Sequence, residues 1–541
     1  MASAFRLSVA IPVYNEENGD VPLPAPRGLE VPEQHIKAIY VLFTLLLLYV
    51  VVRGVVGARG KPFWYDEVMT LAVSDQGSWK GIVHALRPPL DSHPPLFYAI
   101  ENYALKFTRN EEIALRLPSI LAFPCTLICV FVYTKRQAGE IVGFLCAMFL
   151  LMTDIFQYYA MEARGYSMVI ACVAFAMVCY QRVPSPLWTA LLALSFALAE
   201  SLHYYAIFMM VPFGLAEVIP SFRTRRVQWT VWAALGFGAF PLVVFWPLLS
   251  ALKACYGPHF WLRPQFSSLP QIYGDFLQTD RRIGCGIAAM IFVGVLGGLF
   301  GGREAKAVDK RDKNKVQAQI VLLLGFLLLP FIGYAVTTIM HSGLVPRYVL
   351  CTVLGISAGL GLLLSSARRR AVALFGIFVF TAVGLNEIHF WKLCRTDIVN
   401  LNSFGATREM LIESGGYNDL PVLVSEGLVI VPLAHYTTSL PVSKRLVFLT
   451  QDPQPNNKQY SDSIDKELQL FQSYSALRIS TFAEFTAANS QFLFYVDEKY
   501  LHMPTGDWVA LRLDQEGWST HTVASGDSVR VCLVKRKRGS D

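Results

Sequence analysis

The sequence predicts a polytopic α-helical membrane protein of about eleven transmembrane helices, followed by a small C-terminal α/β domain outside the membrane. Three observations lead there. Only 16% of the 541 residues are charged against 54% hydrophobic, with a mean hydropathy of +0.41, whereas a soluble domain carries about 25% charge. Apolar runs of spanning length recur between residues 38 and 390, and basic residues fall in alternate loops between them. Beyond residue 390 the pattern changes to short strand-like stretches alternating with helical ones. With 13% aromatics, 29 Pro and 38 Gly, collagen-like, disordered and low-complexity classes are excluded. A net charge of +7 on so apolar a chain reads as topological Lys and Arg rather than a nucleic-acid footprint, so no nucleic-acid partner is expected. Cys125, Cys129, Cys146, Cys172, Cys179, Cys285 and Cys351 lie in apolar runs, and no CxxC or Cys/His metal spacing occurs. No disulfide framework is expected.

Residues 1–37 are polar and Pro-containing and read as a cytoplasmic tail without a removable signal peptide. The apolar segments lie near 38–57, 113–133, 139–157, 166–180, 187–201, 204–220, 229–252, 283–301, 319–340, 348–365 and 371–390. Alternate loops carry Lys135 and Arg136, then Arg182, then Arg223, Arg225 and Arg226, then a run from Arg303 to Lys315, then Arg368 to Arg370. Positive charge is retained inside, which puts those loops and the N-terminus in the cytoplasm. The first loop, 58–112, and residues 391–541 then face outward. The outer C-terminal part contains the strand-like PVLVSEGLVIV, KRLVFLT, QFLFYVD and VRVCLVK, with Thr481 and Glu484 spaced as a capping box. It has no Gly-rich nucleotide loop. The chain has no Asn-x-Ser/Thr sequon, which favours a bacterial plasma membrane over a membrane of the secretory pathway.

The residues that carry chemistry gather on the outer side. Tyr65-Asp66-Glu67 follows two aromatics just beyond the first helix. Burial among rings would raise a carboxylate's pKa toward that of a general base; the alternative is an acidic pair favouring a helix N-terminus. Trp79, Ile82, Val83 and Leu86 form one apolar face, read as a helix at the interface or a packing face. In Asp91-Ser92-His93-Pro94-Pro95-Leu96 the two prolines hold an extended turn and aim His93, unless that histidine is structural. Arg116, Arg164 and Arg347 sit at outer helix ends. Their planar donor forks suit a phosphate; the alternative is snorkelling, or pairing with Glu162 or Glu67. His203-Tyr204-Tyr205 adds polar and stacking groups at the same level. Carboxylates, cations and rings at an outer leaflet fit transfer of a sugar from a lipid phosphate: arginines hold phosphate, rings hold the sugar, and a carboxylate takes a proton from an acceptor hydroxyl.

In this order, Tyr65-Asp66-Glu67, His93-Pro94-Pro95-Leu96, Arg116-Leu117-Pro118-Ser119, Glu162-Ala163-Arg164-Gly165-Tyr166, His203-Tyr204 and Arg347-Tyr348 resemble the GT-C superfamily, specifically relatives of protein O-mannosyltransferase and aminoarabinose-lipid A transferase. The resemblance covers roughly residues 38–365. It implies a GT-C-like catalytic core over 38–390, a polyprenyl-phosphate sugar donor, an acceptor that is lipid, glycan or protein, and inversion at the anomeric carbon. It puts Asp66 forward as base with Glu67 supporting it. It assigns Tyr65, His93, Arg116, Glu162, Arg164, Tyr166, His203, Tyr204, Arg347 and Tyr348 to donor or acceptor contacts. Some members of the superfamily bind a divalent cation and others do not, so a metal cofactor stays open. A second stretch, Arg6 to Glu17, looks like the opening strand of a family 2 GT-A glycosyltransferase, but the chain enters the membrane before such a domain has room to form, and no activity is assigned to it. The rival classes are a transporter or flippase of lipid-linked sugars and a non-catalytic envelope scaffold. Transporters place ionisable groups at mid-membrane on repeated, broken helices, whereas these clusters lie at helix ends. A scaffold leaves the acidic pair and the arginines unexplained.

Overall fold

The computed structural model describes residues 33–225, 227–257, 264–277, 310–340, 342–365, 367–451, 461–499, 507–526 and 528–536. The expected span 283–301, residues 1–32 with the GT-A-like stretch, and Arg226, Arg303 and Lys306 lie outside the described residues.

Helix α1 (Glu33–Gly60) leads into the first outer region, which is itself helical: α2 (Tyr65–Ser74), α3 (Trp79–Leu86) and α4 (Pro95–Ala104). Local sequence explains the starts. Ser78 caps α3 by accepting from the Gly81 amide at 3.1 Å. Pro94 and Pro95 open α4, where a missing N–H leaves nothing unsatisfied. Asn110 caps α5 (Glu111–Ala138), with Glu111 and Glu112 in its first turn and Lys135 and Arg136 in its last. The apolar face of α3 is a packing face: Ile82, Ala85 and Leu86 are buried, while Trp79 is half exposed.

The chain continues as α6 (Glu140–Phe149), α7 (Asp154–Tyr159), α8 (Tyr166–Tyr180), α9 (Pro186–Leu202), α10 (Ile207–Thr224), α11 (Trp229–Val244), α12 (Trp246–Tyr256) and α13 (Leu269–Leu277). After the undescribed stretch come α14 (Lys310–Leu327), α15 (Leu329–Met340), α16 (Thr352–Leu364) and α17 (Arg369–Glu413). Among the described residues, α1, α5 and the Arg369–Ile398 part of α17 are each long and apolar enough to cross a membrane. The pairs α11–α12 and α14–α15, bent by 60° and 56°, bring that to five. Pro247 and Pro330, each second in the later helix of its pair, account for the breaks. The other expected segments fall on shorter apolar helices, such as α8 and α16. Leu42, Leu45, Leu48 and Val52 on α1, with Leu374, Ile377 and Phe380 on α17, are exposed. In water this would be an aggregating surface; here it is the face an integral membrane protein turns to lipid. Helix α17 runs without a break through the expected boundary at 390–391.

The C-terminal part forms one six-stranded sheet: β1 (Val422–Val424), β2 (Leu446–Thr450), β3 (Arg478–Thr481), β4 (Gln491–Asp497), β5 (Trp518–Gly526) and β6 (Val529–Arg536). The order is β3-β2-β1-β4-β6-β5, parallel from β3 to β4 and antiparallel through β6 and β5. Its helices are α18 (Gly427–Tyr436), α19 (Ser463–Phe471), α20 (Phe482–Ala488) and α21 (Asp507–Gln515). The capping box at Thr481 and Glu484 opens α20 as expected. The stretch PVLVSEGLVIV is only half strand: Glu426 caps α18 by accepting from the Leu428 amide, so GLVIV is helical. Alternation along β1 sends Leu423 to one core with Phe482, Phe485 and Val509, and Val422 and Val424 to the other, which is continuous with the helical bundle. Through that second core α18 packs on α2. This seats α18 against the helix that carries the acidic pair.

Candidate active site

Asp66 and Glu67 lie in the first turn of α2, and Glu67 at the third position accepts from the Trp64 amide at 3.4 Å. Adjacent helix residues point about 100° apart, and these two have different surroundings. Glu67 is fully buried and paired with Arg116, which is also fully buried, at 2.6 Å. It further accepts from the Ala163 amide at 2.9 Å. Burial alone would raise the Glu67 carboxyl, but Arg116 and Lys61 hold it below its ordinary value. A carboxylate so occupied and so enclosed has no free lone pair for an acceptor's proton.

Arg116 is correspondingly saturated. Its Nε donates to Glu67 Oε1 at 2.7 Å, Nη1 to the carbonyls of Ala58 and Lys61 at 2.8 and 2.6 Å, and Nη2 to Glu67 Oε2 and the Pro62 carbonyl at 2.6 and 3.1 Å. All five donors of the guanidinium are used. The expected phosphate contact at Arg116 is therefore corrected: the pairing alternative holds, and the residue ties α5 to the end of α1 and to α2. Glu162 is fully buried; its Oε1 accepts from Lys61 Nζ at 2.9 Å and its Oε2 has no hydrogen-bond partner. Burial raises its carboxyl while Lys61 opposes the rise. Tyr65, expected to face substrate, is only 3% exposed and points into the junction with the C-terminal unit.

Asp66 turns the other way and keeps 19% of its side chain exposed. Two guanidinium groups approach without reaching hydrogen-bond distance: Arg164 Nη2 at 3.9 Å and Arg347 Nη2 at 3.8 Å. Arg164 is anchored elsewhere, through Nη1 to Asp91 Oδ2 at 2.7 Å, Thr70 Oγ1 at 3.1 Å and the Asp66 carbonyl at 3.3 Å. Burial raises the Asp66 carboxyl, Arg164 and Arg347 lower it, and Asp91 and Glu67 raise it; the net direction is upward. Among the expected groups, this one combines access with the poise of a base.

Arg347 is the most exposed of the three arginines. It sits in the 3-10 turn Pro346–Val349 and keeps 18% of its side chain exposed, against 4% for Arg164 and none for Arg116; its Nε, like that of Arg164, has no partner. It lines a narrow pocket of only about 20 Å³ together with Tyr166, His203, Tyr205, Tyr348 and the apolar Val169, Ile170, Met209 and Leu350. Tyr205 and Tyr348 lie 4.2 Å apart and Tyr166 and His203 5.0 Å apart, centre to centre. His93 is buried edge-on to His203 at 4.7 Å, with both nitrogens unpartnered. Burial, with Arg164 next, pushes His93 well below its ordinary value, and burial with Arg164 and Arg347 pushes His203 down to about 3. Both rings are neutral packing and hydrogen-bonding surfaces at neutral pH.

The structure thus brings Asp66, Arg164, Tyr166, His203, Arg347 and Tyr348 to one place, with His93 behind them. Tyr204 does not line the pocket; its neighbour Tyr205 does. Two functional neighbours escape motif reading. Asp91, the first residue of the His93 motif, anchors Arg164, and its nearness to a buried cation was the missing signal. Glu467, more than 350 residues from Asp91 in sequence, has its carboxyl raised well above the ordinary range by burial and then by the charges of Asp91 and Asp66; nothing local marks it. Among the described residues no three His, Cys, Asp or Glu side chains converge as metal ligands, and Glu67 and Asp91 are already engaged by arginines.

Residues 92–250 match the profile of the family described as Dolichyl-phosphate-mannose-protein mannosyltransferase. That segment, a little under a third of the chain, carries His93, Arg116, Arg164 and His203, and its similarity to that family agrees with the resemblance read from the motifs. Comparison with curated proteins finds no match. Among solved structures, ArnT from Cupriavidus metallidurans bound to undecaprenyl phosphate is 14% identical, with 92% of this chain and 97% of that chain covered and a TM-score of 0.44. ArnT from the same organism in the apo state is 15% identical, over 92% and 98%, with a TM-score of 0.45.

Proposed function

We propose that this chain is an inverting GT-C-type glycosyltransferase that moves a sugar from a polyprenyl-phosphate donor to an acceptor hydroxyl on the extracytoplasmic face of a bacterial plasma membrane. In this reading residues 38–390 are the catalytic core and 391–541 the outer unit, with the N-terminus in the cytoplasm. The observation that carries it is the contrast between the two adjacent carboxylates: Glu67 is locked by Arg116, while Asp66 is reachable and lies 3.8 Å from a guanidinium with an unpartnered Nε.

The chemistry follows from that geometry. Arg347 pairs with the donor phosphate, and the isoprenoid chain leads away from it past the apolar Val169, Ile170, Met209 and Leu350, as the dolichyl-phosphate donor of the matching family would require. Tyr166, Tyr348 and His203 offer faces and edges to the sugar. Asp66 accepts the proton of the acceptor hydroxyl as its oxygen bonds to the anomeric carbon from the side opposite the phosphate. The carbon–oxygen bond to phosphate breaks with its electron pair on the phosphate oxygen, and Arg347 offsets the charge that gathers there. Arg164 keeps Asp66 from turning toward Asp91, and neutral histidines leave the phosphate to the arginine.

The test is purified full-length protein in detergent, wild type beside Asp66→Asn, with a panel of polyprenyl-phosphate sugars and crude envelope acceptors. Release of free polyprenyl phosphate by wild type alone is expected. Normal release by Asp66→Asn removes it as the base. Translocation of lipid-linked sugar in proteoliposomes without any release makes the protein a flippase instead.

A further inference from the structure

The carboxylate proposed as base is approached by a cation whose own place is set from a distance. Arg164 Nη1 donates to Asp91 Oδ2 at 2.7 Å, the shortest of its three bonds, while its Nε has no partner and its Nη2 stops 3.9 Å from Asp66 Oδ2. Where Asp91 stands therefore decides how near that guanidinium comes to Asp66. Asp91 lies in the turn between α3 and α4, and its other oxygen, Oδ1, accepts from the Ser92 amide at 2.6 Å, so the carboxylate moves with its own loop. That loop contains Pro88 and Pro89, which have no N–H to tie it down. The Pro89 carbonyl instead accepts from the Tyr256 hydroxyl at 2.6 Å.

Tyr256 is the last residue of α12. Carbonyls in a helix's last turn lack partners within the helix; here that of Cys255 accepts from Lys466 Nζ at 2.9 Å, and Lys466 pairs with Asp462 at 2.9 Å. Lys466 belongs to α19, which packs so tightly on α18 that a Cβ at Gly427 would fall 2.3 Å from Ile464 Cγ2. We propose that Tyr256 is a positioning residue for Asp66: braced by the C-terminal unit, its hydroxyl holds the Asp91 loop, and through Asp91 it keeps the Arg164 guanidinium short of a hydrogen bond to Asp66. This rests on the glycosyltransferase reading above and deepens it. A carboxylate that accepts a full bond from a guanidinium loses both a lone pair and basicity. If the loop slackens, Arg164 can turn Nη2 onto Asp66, the other carboxylate within 4.0 Å of it. Closing that 3.9 Å to about 2.8 Å lowers a carboxyl by about one pH unit at an effective dielectric of about 20. The charged groups that bear on Asp66 are Arg164, Arg347, Asp91 and Glu67, with Glu467 from α19. Tyr256→Phe removes none of them, so a displaced titration of Asp66 reports their distances.

The experiment uses the full chain in detergent as wild type, Tyr256→Phe, Lys466→Met and Tyr436→Phe. A water-soluble carbodiimide modifies a carboxyl in its protonated form, and fragmentation of the labelled peptide assigns the modification to Asp66 rather than Glu67 at each pH; this arm needs no turnover. In Tyr256→Phe the labelling midpoint is expected to fall by about half to one pH unit. Lys466→Met frees the end of α12 and leaves Tyr256 in place, so it should move the midpoint the same way by less, whereas loss of a cation by itself would move it upward. Tyr436→Phe loosens the junction elsewhere and should leave the midpoint where it is. In the transfer assay kcat of Tyr256→Phe should fall about tenfold, within what a misplacement on the order of 1 Å brings, with the pH limb displaced in the same direction and undecaprenyl phosphate binding unchanged. A Tyr256→Phe midpoint that stays or rises, or one that Tyr436→Phe moves equally, overturns the positioning role. Wild type that releases no polyprenyl phosphate overturns the transferase reading instead, and the labelling arm still decides whether Tyr256 sets the distance.

Discussion

Arg116→Met provides the sharpest division between a substrate contact and a structural clamp. In wild type the guanidinium satisfies both Glu67 oxygens and three carbonyls, and neither partner of the ion pair is exposed. Methionine keeps the volume and removes every donor. Glu67 then stays buried with the amides of Ala163 and Trp64, at 2.9 and 3.4 Å. Removing one partner of a buried ion pair costs about 3–5 kcal/mol, because the other charge is left uncompensated. Each carbonyl that finds no water adds about 1–3 kcal/mol. At roughly 2–4 °C per kcal/mol, the thermal midpoint should fall on the order of 10 °C or more. The assay is tryptophan fluorescence during heating in detergent, at one scan rate for all variants because such unfolding is a rate process. Glu67→Gln on top of Arg116→Met removes the stranded charge and should recover part of the loss, a coupling expected only for contacting partners. An Arg116→Met protein that melts like wild type yet no longer binds undecaprenyl phosphate refutes this reasoning and returns Arg116 to the phosphate.

Three further outcomes are expected. In the proposed mechanism Asp66 is the ionised base, and its carboxyl is raised by burial against the pull of Arg164 and Arg347; transfer should therefore rise with pH through a value above the ordinary aspartate range and fall as protonation removes the base, and a limb that survives in the residual activity of Asp66→Asn belongs to another group. Arg347→Ala should raise the donor KM about ten- to a hundredfold, from the roughly 1.5–3 kcal/mol of a charge-assisted hydrogen bond, with a smaller fall of the thermal midpoint than Arg116→Met because its carboxylate partner stands 3.8 Å away and partly exposed; an unchanged donor KM makes it a snorkelling residue. Tyr436→Phe deletes a hydroxyl that accepts from the Phe63 amide at 2.7 Å and donates to Glu112 at 3.2 Å, so the midpoint should drop by a few degrees, from about 1–3 kcal/mol for the orphaned amide, and an undisturbed midpoint shows that Phe63 finds water instead.

What the sequence disclosed and what it hid follow from how far each signal reaches. Apolar length marks α1, α5 and α17 because a spanning helix must exceed a threshold that few other structures meet. Capping chemistry is equally local, which is why Thr481 and Glu484 open α20 where expected. Helix α18 hides in the sequence because GLVIV is a short apolar run, with Gly427, Ile430 and Val431 buried and Leu428 and Val429 partly so, and periodicity cannot separate such a run from a buried strand. The site shows the same limit. Motif order places Asp66, Arg164, Arg347 and the rings on one side, but it cannot say which arginine is already paired. Arg116 and Arg347 look alike as residues at helix ends; only the approach of Glu67 and three carbonyls distinguishes them. Glu467 has no local mark at all, since its relation to Asp66 is made by the docking of α18 and α19 on α2 and α12.

The pairing of Arg116 with Glu67 and the exposure of Asp66 are one arrangement. A helix cannot point neighbouring side chains the same way, so fixing Glu67 inward fixes Asp66 outward. The clamp reaches the end of α1 through Ala58, Lys61 and Pro62 and the Arg164 loop through the Ala163 amide. The C-terminal unit holds the same helix from the other side through Tyr436 and Phe63. Asp66 thus sits on a turn immobilised from three directions, which is what a base needs if it is to meet a hydroxyl without first reorganising. In the proposed mechanism the two carboxylates take different parts by environment alone: one, saturated by a guanidinium, supplies rigidity, and the other, raised by burial and merely approached by cations, takes the proton. Loosening Glu67 should therefore slow transfer through the position of Asp66 rather than its charge. Glu67→Gln ought to lower kcat while the pH limb keeps its place, whereas a limb that moves or vanishes would make Glu67 a proton-transfer group in its own right.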